Sequence, residues 1–220
     1  MTGPEQNYSL REKKFAKTKI ALAAAFIERL TKTRFHDISI KEVCAGVEVS
    51  EGTFFNYFPQ KIDVVYYHKQ IVGLKVTWEI RQHWGKKTPR QLIELTFDVM
   101  ARNLEQPYLF YELVSLFTAE KKKPATVELT RLEKMYAYPD LAGIEDVPAE
   151  SLEDTFAALV AEAKKQGELR PEAKFADVLL ALMTILVGLP LVIDGNDFSG
   201  LKSHFRSQLA LLWKAVGVNK

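Results

Sequence analysis

The chain has 220 residues, is 47% hydrophobic and carries a formal net charge of +2. That length suits one large domain or a small one joined to a larger one, with ample apolar material for a buried core. A single cysteine, Cys44, excludes an intramolecular disulfide and fits a reducing compartment.

The charge is unevenly placed. Residues 11–41 hold nine Lys or Arg against three Asp or Glu, whereas residues 62–220 hold twenty against twenty-one. A basic N-terminal segment on a near-neutral body points to an anionic partner for that end. The opening MTGPEQNYSLREKK lacks the apolar core of a signal peptide. The longest uncharged apolar run, Val178–Ile193, is interrupted by Gly188 and Pro190 and falls short of the roughly 20 residues that a membrane span needs. The expectation is a soluble, cytoplasmic protein with no membrane partner.

Helical periodicity dominates the elements. Ile20, Ala23, Ala24, Ile27 and Leu30, widened by Leu22 and Phe26, predict a first helix over about residues 11–32. The linker that follows offers Phe35 and Ile38 as core anchors. Ser39-Ile40-Lys41-Glu42 has the form of a capping box, so a short second helix should start at Ile40 and stop near Val47. Ser50 is the next good N-cap. A third helix should run from Glu51 and end before Pro59, which lacks an N–H and clashes with a continuing turn. A fourth is expected over about 60–84. Thr88-Pro89-Arg90-Gln91, again a capping box, opens a fifth to about Glu105. Further helices are expected after Pro107 to about Thr118, and over 125–137, 151–166, 174–193 and 199–216. Pro190 should kink or end the apolar helix that holds it. With no alternating segment, the fold class is all-α.

Two short helices joined by about three residues, after a longer one, have the plan of a helix-turn-helix. The third helix would then be the reading element. Phe54 and Phe58, four apart, share its inner face. Glu51, Thr53, Phe55 and Asn56 lie on or near the outer one. Thr53 and Asn56 can read base edges, and Asn suits adenine. Phe55 can touch a thymine methyl but cannot hydrogen-bond, and it could equally serve the core. Glu51 can accept from cytosine N4 or act simply as a first-turn carboxylate on the helix dipole. Gly52 lets the backbone approach closely, Ser50 caps the helix, and Tyr57 and Lys61 offer a phenol and a cation to phosphates.

ISIKEVCAGVEVSEGTFFNYFPQKIDVV, in particular Val49-Ser50-Glu51-Gly52-Thr53, Phe54-Phe55, Tyr57-Phe58 and Lys61, resembles the DNA-binding signature of TetR-family transcriptional regulators. The match covers roughly residues 15–65. The resemblance implies an N-terminal three-helix helix-turn-helix domain (1–60) fused to a larger helical effector-binding and dimerisation domain (61–220). It implies double-stranded operator DNA as partner. Lys41 would reach DNA from the second helix, Ser50, Glu51, Gly52, Thr53, Phe55 and Asn56 would sit at bases or nearby phosphates, and Tyr57 and Lys61 would meet the backbone. One position departs from the family. Where a glycine commonly precedes the Val-Ser of the turn this chain has Glu48, its nearest glycine being Gly46. A left-handed Glu is strained, so the turn is expected to differ locally.

The resemblance also implies a homodimer through the last two helices (174–193 and 199–216) and a small apolar or aromatic effector held by middle helices. Trp78, Phe97, Met100, Tyr108, Tyr111, Phe117 and Tyr136 are candidate lining residues, with Trp84, Phe110 and Met135 beside them. A repressor released by its effector is expected. The alternative is a helical ligand-binding or protein-interaction module without sequence-specific DNA binding. No enzyme motif is present: His36, His68, His83 and His204 are scattered, and there is no phosphate-binding loop or nucleophile elbow. No metal and no cofactor is expected.

Overall fold

A computed structural model describes residues 8–104, 106–119, 128–193 and 197–218. Ten α-helices are found there: α1 Leu10–Leu30, α2 Ile40–Gly46, α3 Glu51–Tyr57, α4 Asp63–Arg81, α5 Pro89–Asn103, α6 Pro107–Ala119, α7 Arg131–Ala137, α8 Leu152–Lys165, α9 Phe175–Val192 and α10 Leu201–Val216. The described residues contain no strand, only an isolated antiparallel bridge between Leu169 and Gly217. The fold is all-α, as the periodicity predicts.

The chain divides into two compact units, Met1–Lys75 with Tyr108–Ala149 and Val76–Pro107 with Glu150–Lys220. The chain passes from one to the other within α4.

In the first unit, Ser9 and Glu12 form a reciprocal capping box that starts α1. Its buried stripe is Ala16, Leu22, Ala23, Phe26, Ile27 and Leu30, so Leu22 and Phe26 lie at its centre and the expected Ala24 faces solvent. A 3₁₀ turn at Phe35–Asp37 follows. Phe35 is buried edge-on against Phe26, and its amide donates to Glu112 Oε2 of α6 at 3.1 Å. The helix expected over 125–137 begins only at Arg131; residues 128–130 are not helical, and 125–127 lie outside the described residues. Thr130 sets the start, because its hydroxyl accepts from Glu133 N (3.2 Å) while Glu133 Oε2 accepts from Thr130 N (2.7 Å). The other oxygen of Glu133, a 1% exposed carboxylate, meets Lys19 Nζ of α1 at 2.6 Å. This ammonium also lies 4.4 Å from the ring centre of the buried Tyr67 on α4.

In the second unit, Phe97 of α5 sits between Phe156 of α8 (centroids 5.3 Å) and Phe205 of α10 (5.0 Å), all three buried. Gly167, at φ +69°, ends α8. The three residues after it close the unit. Glu168 accepts from the Arg90 amide in the first turn of α5 at 2.9 Å. Leu169 is buried, and the Arg170 side chain donates to the carbonyls of Gly217 (3.0 Å) and Lys214 (3.1 Å) at the end of α10. The Gly167-Glu168-Leu169-Arg170 stretch therefore joins three helices. α9 continues two residues beyond Pro190. The uncharged run Val178–Ile193 reads as too short for a membrane span, but the helix built on it, which also takes in Phe175–Asp177, is long and apolar enough to cross one, with mean hydropathy 2.3 and only 22% of its 18 residues buried.

Candidate nucleic-acid interface

α2 and α3 are each seven residues long and are separated by Val47–Ser50. Ser39 starts α2 by accepting from Glu42 N at 3.3 Å; only this half of the expected box forms. Ser50 starts α3 in the same way, accepting from Thr53 N at 3.1 Å and bonding the Thr53 hydroxyl at 2.9 Å. Arg29 of α1 ties α2 to α1, with one end on Ala25 O (3.0 Å) and the other on Glu42 O (3.1 Å).

The turn keeps the left-handed residue that the sequence makes costly. Glu48 has φ +57°, the one positive φ among the described non-glycine residues. Its amide donates to Ala45 O (3.3 Å) and the Val49 amide to Cys44 O (3.0 Å). These are the two bonds of a Schellman helix end. The turn does not shift to spare the side chain. Cys44 is buried, and that burial raises its thiol pKa, as suits an inert core residue.

Across α3 the aromatics separate. Phe54 and Phe58 are fully packed, their rings 5.6 Å apart, and Phe58 meets Tyr67 at 5.4 Å. Glu51, Gly52, Phe55 and Asn56 are exposed, together with Lys41 on α2 and Ser50 at the cap; Thr53 is half-buried. Seven of the nine expected DNA-contacting residues are thus on the helix pair, where Glu51, Gly52, Phe55 and Asn56 share one exposed strip of α3. The other two are held otherwise. The half-buried Tyr57 packs its ring on Phe15 of α1, centroids 4.5 Å apart. Lys61 precedes α4 rather than opening it. Its ammonium donates to His36 O at 3.2 Å and lies 4.9 Å from the Phe35 ring centre, and burial lowers its pKa. Lys61 thereby braces the 3₁₀ turn. α4 starts at Asp63 because residues 60–63 form a tight turn, in which the Asp63 amide donates to Gln60 O at 3.0 Å and the Asp63 carboxylate accepts from the Gln60 amide at 2.7 Å.

Phe15, Lys19 and Arg29 are not among the residues that the sequence motif marks. Phe15 is in phase with Leu22 and Phe26, seven and eleven residues on, so spacing reads it as core, yet it is half exposed; the partners of Lys19 and Arg29 are not visible in local patterns.

The expected effector residues fall in different surroundings. Phe97 and Met100 are buried in the second unit, where Trp78 is half-buried. In the first unit Tyr108 is exposed, Tyr111 is half-buried, Phe117 stacks on Tyr66 at 5.6 Å, and Tyr136 lies under Lys17 at 4.9 Å. A cleft of about 470 Å³ in the second unit is lined by Trp84, Lys86, Lys87 and Gln91, and one of about 390 Å³ in the first by Tyr8, Arg11, Phe15 and Leu132. Neither takes in any of those seven residues. Among the described residues no three His, Cys, Asp or Glu side chains are grouped to hold a metal.

Solved structures share this arrangement along almost the whole chain. A TetR-family transcriptional regulator from Rhodococcus sp. is 12% identical, covers 92% of this chain and 99% of its own, and superposes with a TM-score of 0.61. The chain has the fold of the TetR-family transcriptional regulators. Thermus thermophilus FadR, a TetR-family repressor solved with lauroyl-CoA, is 21% identical over 92% of this chain and 96% of its own, with a TM-score of 0.53. A structure described as the molecular basis for control of antibiotic production by a bacterial hormone gives 15% identity, coverage of 96% and 100%, and a TM-score of 0.63. At these identities the likeness to the TetR fold is one of architecture. No protein-family model and no curated protein matches the sequence.

Proposed function

We propose that the protein is a ligand-responsive DNA-binding transcriptional regulator of the TetR type, not an enzyme, acting in the cytoplasm as a repressor on a palindromic operator. The observation that carries this reading is the exposed strip of Glu51, Gly52, Phe55 and Asn56, with Ser50 at its start and Lys41 exposed on α2, on a capped helix-turn-helix. The basic segment 11–41 supplies the long-range attraction to phosphate. Functionally, residues 1–60 read DNA and 61–220 bind effector and dimerise. Tyr57 and Lys61 contact the DNA backbone from the edge of the strip.

The exposed apolar face of α9, including Phe175, Leu180, Leu191 and Val192, with Leu211 of α10, supports a homodimer through 174–193 and 199–216. A palindromic site needs such a two-fold partner. Light scattering should give twice the chain mass without detergent; a monomer that partitions into vesicles would overturn this reading of α9.

The effector is small and apolar or aromatic. FadR, solved with lauroyl-CoA, shows an acyl ligand on this fold. An effector-bound structure tests Trp78, Phe97, Met100, Tyr108, Tyr111, Phe117 and Tyr136 one by one. The effector acts by moving α4, the helix shared by both units, so that two reading helices no longer match the operator. If saturating effector leaves operator affinity unchanged, this mechanism fails.

The class is tested by selecting duplexes from a random library and titrating them against salt. A recovered palindrome with affinity falling steeply as salt rises is expected. Lys41→Ala should weaken all sequences alike, and Asn56→Ala should change sequence preference. Failure to select any sequence favours the protein-interaction module.

A further inference from the structure

Phe55 stands out on the reading strip. It is 46% exposed, although its neighbours Phe54 and Phe58 are fully packed. Its ring is not adrift: it stands edge-on to Phe54, centroids 5.3 Å apart and planes at 83°. The core residue thus props the exposed one outward. On the same face, one turn earlier, Gly52 leaves bare backbone. A Cβ built there meets only Ser50 Oγ, at 3.8 Å, so the space beside the ring is open. Asn56 is exposed next to it.

A phenyl ring facing a major groove has few useful partners. The base edges there present hydrogen-bond donors and acceptors, which a ring would desolvate without replacing. The apolar exception is a methyl group on pyrimidine C5. We propose that Phe55 is a specificity-determining residue that reads the 5-methyl group of a pyrimidine, in native DNA a thymine, within each half-site. This rests on the DNA-binding reading above and adds the chemistry of the base. Asn56 beside it suits adenine N6 and N7. In an A·T pair the adenine edge and the thymine methyl lie side by side in the major groove. The strip therefore carries one group for each half of an A·T pair, or for two neighbouring pairs. Gly52 gives the methyl room to approach.

The test uses the full-length protein and the palindrome recovered by selection. Each thymine in turn, in both half-sites, is replaced by deoxyuridine, which keeps pairing and removes only the methyl. One position per half-site should lose affinity, by about fourfold for one methyl and about fifteenfold for the symmetric pair. Replacing the same thymine with 5-methylcytosine opposite guanine should retain more affinity than cytosine does. Phe55→Ala, checked for an unchanged melting temperature, should bind the thymine and deoxyuridine duplexes equally while keeping its salt dependence. If no duplex binds in a salt-dependent manner, the DNA-binding reading fails and this inference with it. If duplexes bind but every deoxyuridine substitution is silent, or Phe55→Ala still separates the two duplexes, the inference is overturned and the DNA-binding reading stands.

Discussion

Two helices, one in each unit, end in the same way with different residues. α8 closes with the Gly167 amide on Lys164 O and the Glu168 amide on Ala163 O, and Gly167 takes φ +69°. α2 closes with the corresponding bonds from Glu48 and Val49, and Glu48 takes φ +57°. The hydrogen bonding is the same, but glycine enters the left-handed region freely and glutamate at a cost of about 1–2 kcal/mol. The same contrast holds for charge. The second unit pairs Asp98 with Arg206 and Lys202, whose side chains are exposed. The first unit buries the Lys19–Glu133 pair. The unit that carries α2 and α3 is the one that breaks local rules. Such exceptions persist where the surrounding structure over-determines the local geometry.

The largest expected break in this contrast is at the buried pair. Glu133→Ala leaves the Lys19 ammonium without its carboxylate inside the unit and also removes half of the cap on α7. It should cost about 3–5 kcal/mol in denaturant unfolding. Replacing Asp98 with Ala should cost far less, because its partners return to water. Comparable losses would erase the difference between the units. Replacing both Lys19 and Glu133 with Met should recover much of the loss.

A second break is in pH. Burial holds His68 of α4 near a pKa of about 4, below its ordinary value of 6.5. Because the folded value is depressed, the unfolded chain binds the proton first. Stability is therefore full above about pH 6.5 and falls as pH drops toward 4, by up to about 1.4 kcal/mol per pH unit. His68→Gln should flatten that part of the melting-temperature profile. An unchanged slope would place the acid sensitivity elsewhere.

Most of the helix plan was legible because it is written locally. Thr88 and Ser151 start helices, Gly167 stops one, and Ser50 with Pro59 bounds α3. The division of α3 by face was legible too, except for Phe55. Helical spacing alone leaves that ring near the boundary, and only packing showed it facing out. The same local grammar is present at Thr130-Arg131-Leu132-Glu133 and starts α7 at Arg131, later than the expected 125. What sequence could not show was distant pairing: Glu133 with Lys19, Glu112 with the Phe35 amide, and Lys61 with His36. The effector residues stayed open for a different reason. In an all-α chain an aromatic side chain marks core and pocket alike, and Phe97 shows it, lying between Phe156 and Phe205.

The sharpest comparison exchanges the two left-handed residues. Gly167→Glu should cost about 1–2 kcal/mol. A Cβ there meets nothing within 4 Å, so the loss is one of backbone alone. Glu48→Gly should gain a smaller amount, about 1 kcal/mol or less, because glycine also makes the unfolded chain more flexible. The double exchange should come out close to the sum, since the sites share no partners.

The smallest effect is at Gly46, a helical residue two places before Glu48. Glycine inside a helix is worse than alanine by roughly 0.5–1 kcal/mol. A Cβ at Gly46 meets only Arg29 Nη2, at 3.7 Å, an ordinary contact. Gly46→Ala should therefore raise the melting temperature slightly, and Gly46→Ala with Glu48→Gly should raise it further. That pair moves the glycine from the helix to the left-handed position and leaves the Cys44 and Ala45 carbonyl bonds in place. If the pair stabilises the fold and operator affinity is unchanged, the strain at Glu48 is only tolerated. If it stabilises the fold and weakens the operator complex, Glu48 sets the angle at which α3 is presented.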